Sequence, residues 1–309
     1  MATFGKATFN AAKYASSRPT YPRQLYDFVF QFHGRAKGAR WDTAVDVGCG
    51  TGQATVELTP FRRIIGVDPS ARMIEQARES VKTRLAGLDL SAQIEFVQSP
   101  AEDLACVQDG SVDLIVAAQA CHWFQWDKFW PEVARVLRKD GTFAAWGYSE
   151  FRLSRFPSAT PIINNYAQGQ DPTNSLGTYW ERPGRTILDE HLVAVPDPRD
   201  MLPGKFSEFE RVYFTGSHYP DLPNARPVIL RKRLTWEELL GYFRTWSPLH
   251  TFHEKYPEDL QRADGDIAVR FWRKLKEEVA RAEGKEAVPK DEDTVDIEWP
   301  LALLLARRA

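Results

Sequence analysis

Cysteine is scarce in this chain of 309 residues: Cys49, Cys106 and Cys121 are all there is. Three thiols so scattered cannot form a disulfide framework, and they point to a reducing compartment. Their spacing, together with six dispersed histidines, matches no zinc pattern, so no metal is expected. Neither sign of charge dominates. Forty basic and 42 acidic residues leave a formal net charge of -2, which gives no support to a nucleic-acid or membrane-surface partner. Long apolar runs are missing as well. The longest, Leu301 to Ala306, falls far short of a bilayer span, and no basic-then-apolar leader opens the chain. The expectation is a cytoplasmic protein with no membrane partner. At this length it can bury a full core without disulfides or metal, as two domains or as one with a large insertion. The oligomeric state is not legible.

Aromatic side chains are what the sequence has in excess: ten Trp, ten Tyr and 18 Phe make 12% of it. Any single ring is explained by an ordinary core. Clustering suggests more, because Trp123, Phe124, Trp126, Phe129 and Trp130 share one segment, and Trp236, Tyr242, Phe243 and Trp246 another. Amphipathic rings so grouped suit a pocket that encloses an organic molecule.

From about residue 44 to residue 148 strand and helix patterns alternate. Ala44–Val47, Ile64–Val67, Ile94–Val97, Val112–Ala117 and Thr142–Trp146 read as strands. Gln53–Leu58, Ala71–Arg84 (capped by Ser70) and Trp126–Leu137 read as helices. Such alternation predicts an α/β fold with a doubly wound, mostly parallel sheet. Ahead of it, residues 1–43 form an N-terminal helical segment, with Gln24–Phe32 at helical spacing. After Tyr148 the pattern dissolves: seven prolines lie between Phe151 and Pro203, and Gly169–Gly177 and Val195–Gly204 read as loops. A strand is expected at 206–215, a helix at Trp236–Trp246 behind a Thr235 cap, an amphipathic helix at Ile267–Ala282, and a final strand at Val295–Leu305. The resulting division is a core over 44–149, a largely helical cap over 150–290, and a closing segment over 291–309.

Val45-Asp46-Val47-Gly48-Cys49-Gly50-Thr51-Gly52 ends the first strand in three alternating glycines. Their backbone can approach a ligand closely, and the following turn offers it free N–H groups. The spacing is tighter than the dinucleotide motif, and no Lys-Ser/Thr ending marks a triphosphate loop. Asp68 closes the second strand, where a carboxylate can accept both ribose hydroxyls of a nucleoside.

With these residues the chain resembles the class I S-adenosylmethionine-dependent methyltransferases. The family's glycine motif matches Asp46, Gly48, Gly50 and Gly52, and its ribose-binding acid matches Asp68. Its adenine-binding loop matches residues 98–104, although Pro100 stands where many members carry Asp, which leaves Ala101 and Glu102 to contact the base. The turn before the family's fifth strand matches Leu137-Arg138-Lys139-Asp140-Gly141. The resemblance implies a seven-stranded Rossmann-like sheet, S-adenosyl-L-methionine as cofactor, and a cofactor site that includes Tyr14, Arg18 and Gln119. A narrower similarity, to fungal trans-aconitate methyltransferases, is carried by Tyr14, Arg18-Pro19, Tyr21-Pro22, residues 120–124, Trp146-Gly147-Tyr148, residues 179–185 and residues 244–247. It implies carboxyl O-methylation of a small polycarboxylic acid such as trans-aconitate. A natural-product O-, N- or S-methyltransferase and a non-catalytic module retaining the fold are the alternatives.

Methyl transfer from a sulfonium asks chiefly for alignment and exclusion of water. A carboxylate acceptor is ionised at neutral pH and requires no general base, whereas a phenol or amine would favour one. His122, just past the fourth strand, reads as a structural histidine, a pocket residue or that base. Guanidinium groups suit the holding of acids, so Arg18 and Arg244 are expected to position the acceptor, and Arg182 and Arg185 to bind it. Tyr21, Trp123, Tyr148, Tyr179 and Trp246 complete the expected substrate site. The run Arg231-Lys232-Arg233 reads as a solvated face.

Overall fold

The computed structural model describes residues 19–85 and 92–309. These residues form two compact units. One takes 20–148, 186–227 and 301–309 and holds the large sheet; the other takes 149–185 and 228–300. Residues 186–227, placed in the cap by the sequence pattern, therefore group with the sheet, and 291–300 with the second unit.

The sheet unit contains α1 (Arg23–Gly34), β1 (Thr43–Val47), β2 (Arg63–Asp68), α2 (Ala71–Leu85), β3 (Gln93–Gln98), β4 (Val112–Ala118), α3 (Trp126–Val136) and β5 (Leu137–Tyr148). It is completed by β7 (Phe206–Phe214) and β10 (Leu301–Arg308). Its seven strands run in the order β3-β2-β1-β4-β5-β10-β7. The first five are parallel, while β10 is antiparallel to both β5 and β7. This is the mostly parallel Rossmann-like sheet that the alternating pattern predicts. Val45, Val47, Ile115, Ala117, Phe143 and Ala145 alternate onto one face and join a core with Phe129, Trp130 and Val133 of α3. The strand order reverses between β1 and β4, and ligands of open sheets bind outside the carboxyl ends at such a point.

Several expected elements change at their ends. Gln53–Leu58 holds only one 3₁₀ turn, Thr55–Glu57, whose first residue turns its hydroxyl inward to Asp46. The turn at Lys139–Gly141 lies inside β5 as an irregularity, with Asp140 at φ 64° and the pairing jumping from Val112–Leu137 to Leu114–Thr142. The loop Val195–Gly204 carries a four-residue helix, Pro198–Met201, capped by Asp197.

The second unit is not purely helical. Around α4 (Thr160–Gln168), α7 (Trp236–Phe243), α8 (Ser247–Lys255) and α9 (Ile267–Ala282) it adds a small antiparallel sheet. That sheet joins β6 (Arg152–Leu153), β9 (Thr294–Trp299) and β8 (Leu230–Thr235). The short helix α5 (Gly184–Asp189) lies at the boundary between the two units, and α6 (Pro198–Met201) belongs to the sheet unit. The expected final strand is two strands, since Pro300 interrupts the run between β9 and β10. The basic run 231–233 is part of β8, where Arg231 and Arg233 pair with Glu298 and Asp296 across the sheet. Thr235 does cap α7, in a reciprocal box with Glu238. Six rings form a core here: Phe151, Tyr166, Tyr242, Phe243, Trp246 and Phe271 pack edge to face, tilted or stacked.

Candidate active site

The glycine loop follows β1 with Gly48, Gly50 and Gly52 all in the left-handed region, at φ 70°, 53° and 80°. At Gly48 a side chain is excluded twice over, by that conformation and because a Cβ would stand 2.4 Å from Ala120 Cβ. Gly50 faces open space instead. Its N–H donates to Asp68 Oδ2 at 3.0 Å, and Ser70 N–H donates to Oδ1 at 2.9 Å. The Asp68 carboxylate is thus oriented at the end of β2 with acceptor capacity remaining on both oxygens. Burial pushes its pKa up, and the two N–H donors pull the other way.

Asp46 is fully buried. Thr55 Oγ1 donates to its Oδ2 at 2.6 Å, while Oδ1 has no hydrogen-bond partner among the described residues. Burial raises Asp46 to about 7; the Thr55 hydroxyl opposes that rise and the Asp68 charge adds to it. Two acids, three glycines without side chains and an unmatched buried oxygen suit a ligand with a ribose and a cationic end.

At the carboxyl edge of β4, Gln119 adopts φ 54° and bridges to β5: its amide donates to Tyr148 O at 3.2 Å and accepts from Tyr148 N–H at 2.8 Å. Next to it His122 is buried on the 3₁₀ turn Cys121–Trp123, its ring 4.8 Å from that of Trp123. Trp123 is 41% exposed, unlike every other ring of its segment. Tyr21 meets the buried Trp146 edge to face at 5.4 Å. Ala101 is buried, and Glu102 accepts from Gln125 N–H at 2.7 Å ahead of α3.

Residues 45–145 match the family model for a methyltransferase domain. Over 277 residues the chain is 31% identical to the Saccharomyces cerevisiae protein named "Probable S-adenosylmethionine-dependent methyltransferase CRG1", covering 87% of this chain and 88% of that one. The chain belongs to the S-adenosylmethionine-dependent methyltransferases. It is also 25% identical to methyltransferase cfoB of Aspergillus candidus, over 96% of this chain and 93% of that protein. A solved structure, the "Putative Type II Methyltransferase" of Anaeromyxobacter dehalogenans, superposes with a TM-score of 0.63 at 25% identity, covering 94% of this chain and 97% of that one.

The methyltransferase brings together Asp46, Gly48, Gly50, Gly52 and Asp68 at one loop, and Gln119, His122, Trp123 and Tyr148 at the neighbouring edge. Tyr14 and Arg18 lie outside the described residues. Tyr21 stays in the sheet unit against Trp146, and the remaining expected substrate residues, Tyr179, Arg182, Arg185, Arg244 and Trp246, are in the second unit. Arg185 is buried, pairs with Glu150, and stacks 4.0 Å over Trp180, while Gln168 donates to the other Glu150 oxygen. Tyr179 donates its hydroxyl to Pro172 O at 2.6 Å, and Trp246 is 4% exposed in the aromatic core. Arg182 is exposed, and Arg244 is half-exposed, 3.8 Å from Asp266. Sequence reasoning missed Thr55 and Glu150, because a partner nine or 35 residues away leaves no local signal. Among the described residues no group of three or more His, Cys, Asp or Glu could hold a metal, and no helix is long and apolar enough to cross a membrane.

Proposed function

We propose that the enzyme methylates a carboxylate oxygen of a small organic acid that carries an apolar or planar body, in a reducing, cytoplasmic setting. The sulfonium cofactor supplies the methyl group. Asp68 accepts its ribose hydroxyls, Asp46 and the glycine loop take its methionine end, and Ala101 and Glu102 adjoin its base. The exposed ring of Trp123 beside buried His122 carries the acceptor reading: it is a ready platform for an apolar body at the carboxyl edge. Arg185, committed to Glu150, is not among the groups left to hold an acid. Trans-aconitate stays the specific candidate that the narrower similarity favours. An in-line displacement by a carboxylate already ionised at pH 7 requires no proton transfer, so His122 serves orientation. The second reading, a phenolic or thiol natural product with His122 as base, rests on the same Trp123. A screen with labelled cofactor against mono-, di- and tricarboxylic acids, phenols, amines and thiols, read by product mass, separates them. Methyl esters are expected; ethers or thioethers as the sole products would overturn the carboxylate reading.

A further inference from the structure

We infer that Thr55 is a positioning residue of the cofactor loop: its hydroxyl fixes the Asp46 carboxylate so that the second oxygen serves the cationic part of the bound cofactor. The inference rests on the proposed reading that the glycine loop holds the cofactor, and deepens it. Thr55 and Asp46 are both fully buried, and the 2.6 Å contact is short, as an O–H donor to a carboxylate makes it. The hydroxyl contact uses Oδ2, and the Thr55 backbone N–H also favours the ionised carboxyl. Oδ1 is buried and has no hydrogen-bond partner among the described residues, and a buried carboxylate oxygen left so is costly. The surroundings do not relieve it. The titratable groups that face Asp46 are the Asp68 carboxylate across the loop, the Cys49 thiol within it, and the Tyr26 phenol from α1, which itself feels Glu57 and, in the opposite sense, Arg84. None of the three is basic. S-adenosylmethionine brings a sulfonium and an ammonium, and its demethylated product keeps the ammonium.

One consequence concerns protons. With Asp46 at about 7, a cation arriving near neutral pH draws the carboxyl into its ionised form, and the proton leaves to the buffer. The Thr55 hydroxyl favours the ionised form by donating to it. Without that donor, ionisation on binding becomes harder, and only below the raised pKa.

The test is titration calorimetry with S-adenosylhomocysteine from pH 6.5 to 9, in two buffers of different ionisation enthalpy. Wild-type enzyme should release about half a proton at pH 7, and Asp46→Asn should abolish that release. Thr55→Val should weaken binding about five- to tenfold at pH 7 and within about twofold at pH 9. Thr55→Ser, which restores the hydroxyl, should stay within about twofold throughout. A loss in Thr55→Val equal at every pH would mark mere packing and overturn the inference, as would Thr55→Ser behaving like valine. If Thr55→Val does not fold, proton release that is the same in wild type and Asp46→Asn overturns it alone. Asp68→Asn separates the two levels. If it binds normally, the loop reading itself fails; if it binds weakly while Thr55→Val is unaffected, only the role of Thr55 fails.

Discussion

Replacing Asp46 by asparagine should stabilise the cofactor-free enzyme at alkaline pH and do little near pH 5. The carboxyl is fully buried, and burial is the main reason it is pushed up to about 7 from an ordinary 3.8, with Asp68 adding repulsion. Between those values the folded state holds more protons than the unfolded one. Stability therefore falls as pH rises from about 4 to about 7, and the whole loss is present above that window. The separation corresponds to about 4 kcal/mol, and between pH 5 and pH 8.5 the cost grows by about 2 to 3 kcal/mol. Asparagine escapes this cost and keeps a carbonyl oxygen for the Thr55 hydroxyl. Its buried NH₂ group lacks an acceptor, at about 1 to 3 kcal/mol. The two effects nearly cancel at pH 5 and leave a net gain of about 1 to 3 kcal/mol at pH 8.5. Denaturation of both proteins at the two pH values measures it, and the difference in Tm should grow by several degrees. An identical difference at both pH values would refute the reasoning, because a charge effect cannot be independent of pH.

Gly48→Ala should abolish cofactor binding or folding, since its Cβ meets Ala120, whereas Gly50→Ala, strained in φ but sterically free, should lose far less; calorimetry on the two variants ranks them. Arg185→Met should destabilise the enzyme by about 3 to 5 kcal/mol by leaving Glu150 buried without its cation. Adding Glu150→Gln should recover much of that loss, and a raised KM with unchanged stability would instead place Arg185 at the acceptor. For a carboxylate acceptor, kcat at saturation should be flat from about pH 6 to 9, and His122→Asn should lower it modestly without bending the profile. A basic limb that disappears in His122→Asn would convict His122 as a base.

The sheet was legible because its evidence is local. Each of β1, β2 and β4 is a short apolar run, with Asp46 inside the first and Asp68 at the end of the second, and those two acids and the three glycines can be read without knowing what they touch. Elsewhere the deciding contacts are distant in sequence. Nothing near Thr55 announces that its hydroxyl closes on Asp46, so the segment reads as helix. Nothing near Arg185 announces Glu150, so a buried ion-pair member reads as a ligand for acids. Pro300 was the visible signal for dividing the last strand, but an unbroken apolar run on either side of it dominates the pattern. The basic run on β8 is solvated as its composition suggests, but its partners, Glu298 and Asp296, arrive only when β9 pairs beside it.

The same distinction separates the aromatic residues. Spacing along the chain cannot tell a ring that packs from a ring that receives, since both favour company. Trp126, Phe129 and Trp130 meet Phe143 of β5, and Trp246 meets Tyr166, Trp180 and Tyr242; each set fills a core of its own unit. Trp123 departs from them because the 3₁₀ turn after β4 ends there and Phe124 returns to extended backbone. That change of direction buries Cys121 and His122 and leaves the next ring outward, at the carboxyl edge of the sheet. Exposing so large an apolar surface is costly in water, and covering it with the body of an acceptor recovers that cost. The acceptor's affinity should therefore follow its apolar area more closely than its charge.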